Sequence, residues 1–371
     1  MLMKTIISPS KYVQGPGALG EVGKYAAQMG ERALIIGGRT ALEAAQSPLV
    51  GSLEAAGMRV GVELFCGESS WEEIRRLTDL ARASGATVVI GTGGGKALDT
   101  AKVVGRDAGA RWINVPTTVA TNAACSAVTV IYSPEGVFEE YVFLPRNPDL
   151  VVADTSTLIK NPAHMLRMGM GDCLAGWIEG ETCALTAKPN FAGGTATTTA
   201  LAIAKLCYET LMTYGLDAMR AAEVQAATPA YERIIEAVLL MGSLGFESTG
   251  LAAAHAIHNG FTVLAETHSV SHGEKVAFGV LAMQVLENRP RSQIDEVLCF
   301  LDSLDLPMTL AQLNIIDKGD ELDSKLLEVG KAACAPGDTM YCEPMPVTPE
   351  TTMYAIKGAD ALGRAYRAAK S

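Results

Sequence analysis

The histidines are the residues whose type and spacing point most directly to chemistry in this chain. Only five occur in 371 residues, and four of them fall between His255 and His272, in AAAHAIHNG and THSVSHGEK. Neutral imidazole is a common ligand of divalent transition metals. The cluster therefore predicts a metal site, although capping or buried hydrogen-bonded histidines would produce the same pattern.

A carboxylate upstream adds to this pattern. Asp172 stands in GMGDC, inside an otherwise apolar helical segment. Burying a lone carboxylate is costly unless the group is paired or bound to a cation. Two imidazoles and this carboxylate would make an open divalent site. Spacing alone does not decide which two of His255, His258, His268 and His272 would be ligands.

A glycine-rich turn offers a second kind of chemistry. GGGKALDTAK runs from Gly93 to Lys102 and follows an apolar run that ends at Ile90. Glycines let backbone N–H groups approach phosphate oxygens, and the following helix offers its positive end. The spacing fits neither a Walker A loop nor a Rossmann GxGxxG turn. It therefore predicts another kind of phosphate cradle, with a plain tight turn as the alternative.

A threonine-containing segment follows the next apolar run. PTTVATNAACS extends from Pro116 to Ser126. Small hydroxyl residues after a strand can donate hydrogen bonds to phosphate, ribose or nicotinamide, but similar runs also occur in plain loops. The segment therefore matters here only as a partner of the glycine-rich turn.

Alternating strand and helix patterns would position these segments. A helix is predicted at Trp71–Ala83, and the last two strands before Leu150 could form a hairpin. Such alternation predicts a mostly parallel sheet covered on both faces. The predicted strands are Ala33–Ile36, Arg59–Phe65, Thr87–Ile90, Trp112–Val115, Val128–Tyr132, Tyr141–Leu144 and Leu150–Ala153.

Strand patterns stop after Pro162, and long segments rich in Ala, Leu, Met and Glu predict a helical bundle. The break at Asn161–Pro162 predicts two domains, residues 1–161 and 162–371. The predicted helices are 163–186, 193–214, 217–240, 242–258, 274–287, 293–304, 322–334 and 349–369.

Composition narrows the class of protein. Hydrophobic residues make up 49% and charged residues 19% of the chain, which is a globular composition with ample core material. The net charge of −11 argues against nucleic-acid and membrane partners. Apolar runs are too short for a membrane span or a signal peptide. The eight scattered cysteines contain no CxxC pair, which favours a reduced, cytoplasmic protein.

Several motifs in combination resemble the bacterial glycerol dehydrogenases of the iron-containing (group III) alcohol dehydrogenase superfamily. The resemblance spans nearly the whole chain. It implies an α/β Rossmann-like N-terminal domain, an all-α C-terminal domain (a dehydroquinate synthase-like fold) and an active site in the cleft between them. It also implies NAD, zinc and a homo-oligomer between dimer and octamer. The motifs are SPSKYVQGP, GGGKALDTAK, CSA, LPRNP, the GD pair at Gly171–Asp172, AAAHAIHNG and HGEKVAFG.

The same resemblance assigns roles to individual residues. It implies that Asp172, His255 and His272 are the metal ligands and also face the substrate, together with Asn122. His258 becomes a cleft residue and a candidate proton relay, and His268 a solvent-facing histidine. The implied cofactor-binding residues are Gly94, Gly95 and Lys96 at the pyrophosphate, Asp99 close by, and Thr117, Thr118, Ser126, Val128 and Tyr132 between adenosine and nicotinamide.

Two positions depart from the family pattern. Gly38, followed by Arg39, stands where the family has an aspartate that binds the adenine ribose. Losing that carboxylate removes repulsion against a 2′-phosphate, so NADP remains an alternative cofactor to NAD. Asn122 replaces a substrate-binding aspartate, which would make the site more tolerant of a carboxylate substrate. Fe²⁺ likewise remains an alternative metal ion to Zn²⁺.

The predicted function is a metal-dependent, NAD-linked dehydrogenase that converts glycerol to dihydroxyacetone and also accepts 1,2-diols. Hydride would pass from a zinc-bound alkoxide to nicotinamide. The main alternative is an NAD(P)H-dependent 2-oxoacid reductase similar to the hydroxycarboxylate dehydrogenases, which also lack both acids. A dehydroquinate synthase-like cyclase, a lyase, would need several cations to grip a sugar phosphate, and mainly Lys275 lies near the motifs. The complete ligand triad argues against a non-catalytic NAD-binding scaffold.

Overall fold

The structure is a computed structural model that describes residues 3–370. Its contacts divide the chain into two compact units, an α/β unit and a helical unit. The α/β unit contains Ile7–Leu166 and Asp217–Glu247, and the helical unit contains the chain up to Ile6, Arg167–Leu216 and the chain from Ser248 onwards.

This division differs from the predicted domains, 1–161 and 162–371, mainly over residues 217–247, which join the α/β unit. The predicted domain boundary stays a prediction.

A six-stranded parallel sheet forms the centre of the α/β unit, and a separate antiparallel hairpin accompanies it. The α/β character of the first part of the chain and the helical character of the second are therefore confirmed. The sheet strands are β1 (Tyr12–Gly15), β2 (Arg32–Gly37), β3 (Arg59–Leu64), β4 (Val88–Gly93), β5 (Arg111–Pro116) and β8 (Leu150–Asp154), and the hairpin pairs β6 (Val128–Tyr132) with β7 (Phe138–Phe143).

Both faces of the sheet are buried, which explains why its central strands read as continuous apolar runs. In β2, Ile35 packs into one core cluster with Leu49 and Leu53. The neighbouring Leu34 and Ile36 point to the opposite face and join a second cluster. The covering helices are α1 (Val22–Ala26), α2 (Arg39–Ala55), α3 (Trp71–Ser84) and α4 (Gly95–Ala108).

The strand order β1-β8-β5-β4-β2-β3 contains a switch point between β2 and β4. From β2, the chain continues outward to β3 and then returns to β4 on the other side. Connections that leave the carboxyl ends of two such strands diverge and open a crevice for ligands. Gly38 follows β2 at this point, and the glycine-rich turn follows β4.

Helices, joined by loops, make up the rest of the described chain. A π-helical turn, Ala237–Gly242, connects two of them. They are α5 (Thr155–Leu158), α6 (Ala163–Cys173), α7 (Ala175–Thr186), α8 (Thr198–Glu223), α9 (Pro229–Glu236), α10 (Ser243–Thr249), α11 (Ala253–Phe261), α12 (His272–Leu286), α13 (Arg291–Ser303), α14 (Gly319–Ala333) and α15 (Pro349–Lys370).

Within residues 3–370, no single helix has the length and apolar composition of a membrane span. One consecutive but bent pair, Pro229–Thr249 with Ala253–Phe261, reaches those criteria only when taken together.

Several predicted helix breaks are wrong. The predicted break between the helices 193–214 and 217–240 does not occur, because α8 continues through Gly215 to Glu223. A Cβ at Gly215 would lie 3.2 Å from the Phe300 ring, so close packing explains the glycine there. The predicted helix 242–258 instead breaks at Gly250, where φ is +107°, a conformation that favours glycine. The predicted helix 163–186 is interrupted between α6 and α7.

Candidate metal centre and nucleotide site

Asp172, His255 and His272 meet in the helical unit although they are distant in the sequence. Asp172 is the penultimate residue of α6, His255 lies near the start of α11, and His272 is the first residue of α12. His272 Nε2 is 3.2 Å and His255 Nε2 is 3.5 Å from the same Asp172 oxygen, Oδ1. One donor atom from each residue lies within 4.8 Å of the other two.

Two glycines allow α6 and α12 to approach closely enough for this arrangement. A Cβ at Gly273 would lie 1.8 Å from the Met168 carbonyl oxygen, and one at Gly171 would lie 2.6 Å from the Gly273 carbonyl oxygen. Any larger residue would push the two helices apart. The glycines beside Asp172 and His272 in the sequence therefore serve the close contact that brings these two side chains together.

A capping box fixes where α12 begins. The Ser271 hydroxyl accepts a hydrogen bond from the Glu274 backbone N–H, and the Glu274 carboxylate accepts one from the Ser271 N–H. This reciprocal pairing satisfies two backbone donors at the helix start. It places His272 in the first helical position, next to Asp172.

Glu179 of α7 orients His255. Its Oε2 lies 2.6 Å from His255 Nδ1, and its Oε1 accepts the backbone N–H groups of His255 and Ala252 at 2.9 Å each. The ring must donate its Nδ1–H to this carboxylate, so Nε2, which faces Asp172, is the nitrogen that can exchange its proton for a metal. A carboxylate in this place also makes a metal-bound imidazole a stronger ligand.

The two carboxylates create a field that favours a cation. Burial by itself would lower the pKa of His255, but Glu179 and Asp172 outweigh burial and raise that pKa to about 10. Burial also opposes ionisation of Asp172, yet His272 and His255 hold the pKa of this carboxyl below its ordinary value. The same field would stabilise a divalent cation in place of the proton.

The donor set fits a small transition-metal ion. Ligand atoms in a tetrahedral zinc site, each about 2.1 Å from the metal, lie about 3.4 Å apart. The two nitrogen–oxygen distances of 3.2 and 3.5 Å already match that spacing. Two nitrogens and one oxygen leave a further position open for a substrate, as in catalytic sites.

The remaining histidines occupy other places. His258 is buried behind His272, with Nε2 2.9 Å from His272 Nδ1 and Nδ1 3.0 Å from Asn259 Oδ1. Burial, together with the nearby His272 and Lys275, holds the pKa of His258 well below its ordinary value, so its ring is neutral. His268 is exposed and contacts the Thr262 carbonyl oxygen, and His164 is exposed.

The glycine-rich turn lies at the carboxyl end of β4. Gly93 has φ of +150°, and Gly94 is the N-cap of α4 without any side-chain cap. No acidic residue occurs in the first turn of α4. Uncapped N–H groups at a helix start suit a pyrophosphate. The turn lies against the threonine segment, because a Cβ at Gly94 would be 3.3 Å from Thr118 Oγ1.

Two charged residues of the turn contact protein groups. Lys96 Nζ lies 2.6 Å from Glu68 Oε1 and 5.1 Å from the centre of the Tyr132 ring. Asp99 is buried, forms an ion pair with Lys102 at 2.8 Å and accepts the Val130 backbone N–H. Lys96 would therefore have to leave Glu68 to reach a pyrophosphate, whereas Asp99 stabilises the protein around the turn.

The segment from Asn122 to Val128 is held by its backbone. Each of its seven carbonyl groups accepts a hydrogen bond, although only the last residue belongs to a strand. A segment held in this way is pre-organised rather than adaptable. Ser243 Oγ donates to Asn122, Lys102 Nζ to Ala123, Ser126 and Val128, Asn114 Nδ2 to Ala124, Asn147 Nδ2 to Cys125, and the Leu144 N–H to Ala127.

Further residues of the predicted site lie in the segments that follow β5 and β2. Thr117 is buried directly after β5, and its N–H donates to the Gly93 carbonyl. Ser126 is buried, while the side chains of Asn122 and Thr118 are half-buried. Gly38 follows β2 as the N-cap of α2, and Arg39 is the exposed first residue of that helix.

Sequence reasoning missed several residues around these sites. Glu179 lies seven positions after Asp172, which is about two turns of the predicted helix 163–186, but the structure interrupts that helix between α6 and α7, so the spacing does not reveal the role of Glu179. Lys102 and Glu247 carried no signal of their contacts with the 122–128 segment. Asp338, which lies beside Asn259, is equally unpredictable because it is 79 residues away.

Comparisons with known proteins identify the family of this chain. Residues 9–155 match the family described as iron-containing alcohol dehydrogenase. The glycerol dehydrogenase of Thermotoga maritima is 45% identical over 98% of both chains. The crystal structure of glycerol dehydrogenase from Schizosaccharomyces pombe has a TM-score of 0.95 at 35% identity and covers 100% of this chain and 93% of its own.

A more distant relative corresponds to the alternative function. Hydroxycarboxylate dehydrogenase A of Escherichia coli is 30% identical and covers 96% of this chain and 97% of its own. This similarity is well below that of the Thermotoga protein. Because a relative with 45% identity covers almost the whole length, the chain belongs to the iron-containing alcohol dehydrogenase family.

Proposed function

We propose that this metal-dependent alcohol dehydrogenase oxidises glycerol to dihydroxyacetone, and also accepts 1,2-diols, with NAD⁺. The observation that carries the proposal is the donor set of Asp172, His255 and His272, in which Glu179 orients one imidazole. Two relatives of high similarity bear the name glycerol dehydrogenase, which supports the choice of substrate.

The chain's own residues would supply binding and alignment. Asp172, His255 and His272 would hold the metal, which we propose to be Zn²⁺ rather than Fe²⁺. The metal would act as a Lewis acid and lower the pKa of a substrate hydroxyl. Glu179 would keep His255 in the tautomer that binds. Asn122 would donate a hydrogen bond from its amide to another hydroxyl of the polyol.

The glycine-rich turn would hold the dinucleotide. Backbone N–H groups at Gly94 and Gly95 and the start of α4 would bind the pyrophosphate, with Lys96 as the neighbouring cation. NAD⁺ held there would supply the acceptor for the hydride of the carbinol carbon, and the hydroxyl proton would pass to water. Thr117, Thr118, Ser126, Val128 and Tyr132 would line the remaining length of the cofactor.

Two residues favour a second candidate, an NAD(P)H-dependent 2-oxoacid reductase. Asn122 carries no negative charge, so a substrate carboxylate would meet less repulsion there. Gly38 and Arg39 at the start of α2 would tolerate the 2′-phosphate of NADP better than the aspartate that the family has at this position. A cyclase of the dehydroquinate synthase type would need more cations than Lys275 near the donor set.

A single absorbance assay separates these candidates. Metal-free protein is loaded with Zn²⁺, and NAD(P)H absorbance is followed with glycerol and 1,2-propanediol in one direction and dihydroxyacetone and 2-oxobutyrate in the other. We expect glycerol and dihydroxyacetone to react fastest, with NAD(H). Faster turnover of 2-oxobutyrate, above all with NADPH, would replace this proposal with the reductase.

Matched controls separate an enzyme from a scaffold. Asp172→Asn keeps the shape of the ligand but loses its charge, and we expect turnover to fall by at least 100-fold. Loading with Fe²⁺ instead of Zn²⁺ tests the choice of metal.

We also propose a homo-oligomer between dimer and octamer, which light scattering would measure. The predicted cytoplasmic location stays a prediction.

A further inference from the structure

We propose that Asp338, Asn259 and His258 form a hydrogen-bonded chain that fixes the tautomer of His272, and that His258 is a positioning residue rather than a proton relay. This inference deepens the proposed function, because it concerns the same metal ligand. It rests on four consecutive contacts within the helical unit.

The hydrogen-bonded chain begins at the carboxylate of Asp338, whose own position is fixed. Asp338 precedes a short 3-10 helix and accepts the Thr339 N–H at 2.6 Å. The Thr339 hydroxyl donates in turn to the Ala252 carbonyl oxygen at 2.7 Å. Asp338 is thereby tied to the start of α11, the helix that carries both His255 and His258.

Asp338 decides the orientation of the Asn259 amide. The Asn259 Nδ2 lies 3.1 and 3.3 Å from the two carboxylate oxygens of Asp338. A carboxylate accepts hydrogen bonds, so the NH₂ group and not the carbonyl must face it. The Asn259 carbonyl oxygen consequently points the other way, towards His258.

Asn259 then decides the tautomer of His258. Its Oδ1 lies 3.0 Å from His258 Nδ1 and can only accept, so His258 carries its proton on Nδ1. The opposite nitrogen, Nε2, is left with a lone pair. That lone pair lies 2.9 Å from His272 Nδ1.

His258 in turn decides the tautomer of His272. Because Nε2 of His258 accepts, His272 must keep a proton on Nδ1, so its Nε2 is the nitrogen that can give a lone pair to a metal. This Nε2 is the atom that lies 3.2 Å from Asp172 Oδ1. The hydrogen-bonded chain therefore directs metal binding to Nε2 of His272, as Glu179 does for His255.

This arrangement leaves His258 no free nitrogen. Nδ1 donates to Asn259 and Nε2 accepts from His272, so taking up a substrate proton would break the contact with His272. A role in orientation uses both contacts as they stand. A direct role in proton transfer would require the contact with His272 to break.

Zinc affinity tests the inference without requiring turnover. Metal-free protein competes for Zn²⁺ with a chromophoric chelator. We expect His258→Phe, which preserves size and planarity, to weaken zinc binding by about 10–100-fold. His258→Gln keeps an acceptor near the Nε2 position and should lose much less affinity. Asn259→Leu leaves both histidines in place and should weaken binding by roughly 10-fold.

The control variant is His268→Phe, an exposed histidine of the same unit, which should bind zinc like the parent. The absorption bands of bound Co²⁺ report ligand geometry and should change in His258→Phe and Asn259→Leu only.

Unchanged zinc affinity in both of these variants, with a fall in kcat for His258→Phe, would overturn the inference in favour of proton transfer. If Asp172→Asn binds zinc like the parent, the three-ligand site itself fails; if zinc binds as expected but no polyol reacts, only the proposed function fails.

Discussion

At the scale of single residues, the environment gives each histidine a different task. His255 faces the carboxylate of Glu179, and His272 faces the neutral ring of His258. Both contacts leave Nε2 directed at Asp172. The hydrogen bond from Glu179 makes His255 a stronger metal ligand, because a carboxylate paired with an imidazole raises its basicity.

A buried carboxyl outside the donor set makes stability depend on pH. Glu343 is 6% exposed and accepts the Ala253 N–H with one oxygen, while its other oxygen has no donor within residues 3–370. Burial, and repulsion from Glu287, raise the pKa of Glu343 to about 9. The folded protein therefore keeps a proton that the unfolded chain releases near pH 4.5.

The sign of this effect follows from proton linkage. The raised pKa favours folding at low pH, and that contribution is lost as the pH rises from about 4.5 to 9. Glu343→Gln removes the titration, so its free energy of unfolding should rise relative to the parent by up to about 1.4 kcal/mol per pH unit. Urea unfolding at pH 5, 7 and 9 measures this difference. A constant difference, as expected for the exposed Glu54→Gln, would contradict it.

At the scale of elements, local patterns predicted most strands but not the exact helices. Seven strand predictions have counterparts, because central strands are apolar runs bounded by turns. β1, Tyr12–Gly15, was not predicted, because YVQG is only half-buried and lacks the continuous apolar run of the central strands. Gly215 and Gly250 have opposite effects on their helices, and the neighbouring structure rather than the residue type decides between continuation and a break.

The same limit applies to the candidate site. Motifs identified Asp172, His255 and His272, but their orientation depends on Glu179 and on the chain from Asp338. Tertiary contacts of this kind leave little trace in one sequence, because an acidic residue that orients a ligand looks like any other. The glycine turn was visible, whereas the buried Lys102 that holds the adjacent segment was not.

Lys102 provides the prediction at this scale. Its ammonium group is fully buried, pairs with Asp99 and donates to three carbonyl groups between Ala123 and Val128. Lys102→Met should loosen this segment and weaken NADH binding by about 10-fold, because the pocket wall would no longer be pre-organised. It also leaves Asp99 unpaired, which costs about 3–5 kcal/mol of stability. Fluorescence titration with NADH and urea unfolding measure the two effects.

Two further variants separate binding from stability. The double variant Lys102→Met/Asp99→Leu removes the unpaired charge, so it should recover stability but not NADH affinity. Arg106→Met, on the same helix, is the control and should leave NADH binding unchanged. If Lys102→Met loses stability but binds NADH as the parent does, the 122–128 segment is not part of the cofactor pocket.

At the scale of the whole molecule, the proposed metal would link helices that the sequence keeps apart. Its three ligands lie on α6, α11 and α12, with separations of 83 residues (255 − 172) and 17 residues (272 − 255). The unfolded chain cannot present such a set of donors in one place. A cation that binds only the folded state stabilises it by mass action, by about 2.7 kcal/mol at 100 times its Kd.

Metal removal should therefore lower thermal stability as well as activity. The metal-free protein should remain folded, because Asp172 and Glu179 retain their contacts with the histidines. We expect a chelator to lower the midpoint of thermal unfolding by several degrees without loss of helical circular dichroism, and Zn²⁺ to restore it in a concentration-dependent way. Asp172→Asn should reduce the response to Zn²⁺, whereas His268→Phe should keep it. A midpoint that is independent of Zn²⁺ in the parent would show that these residues do not bind the metal in the folded protein.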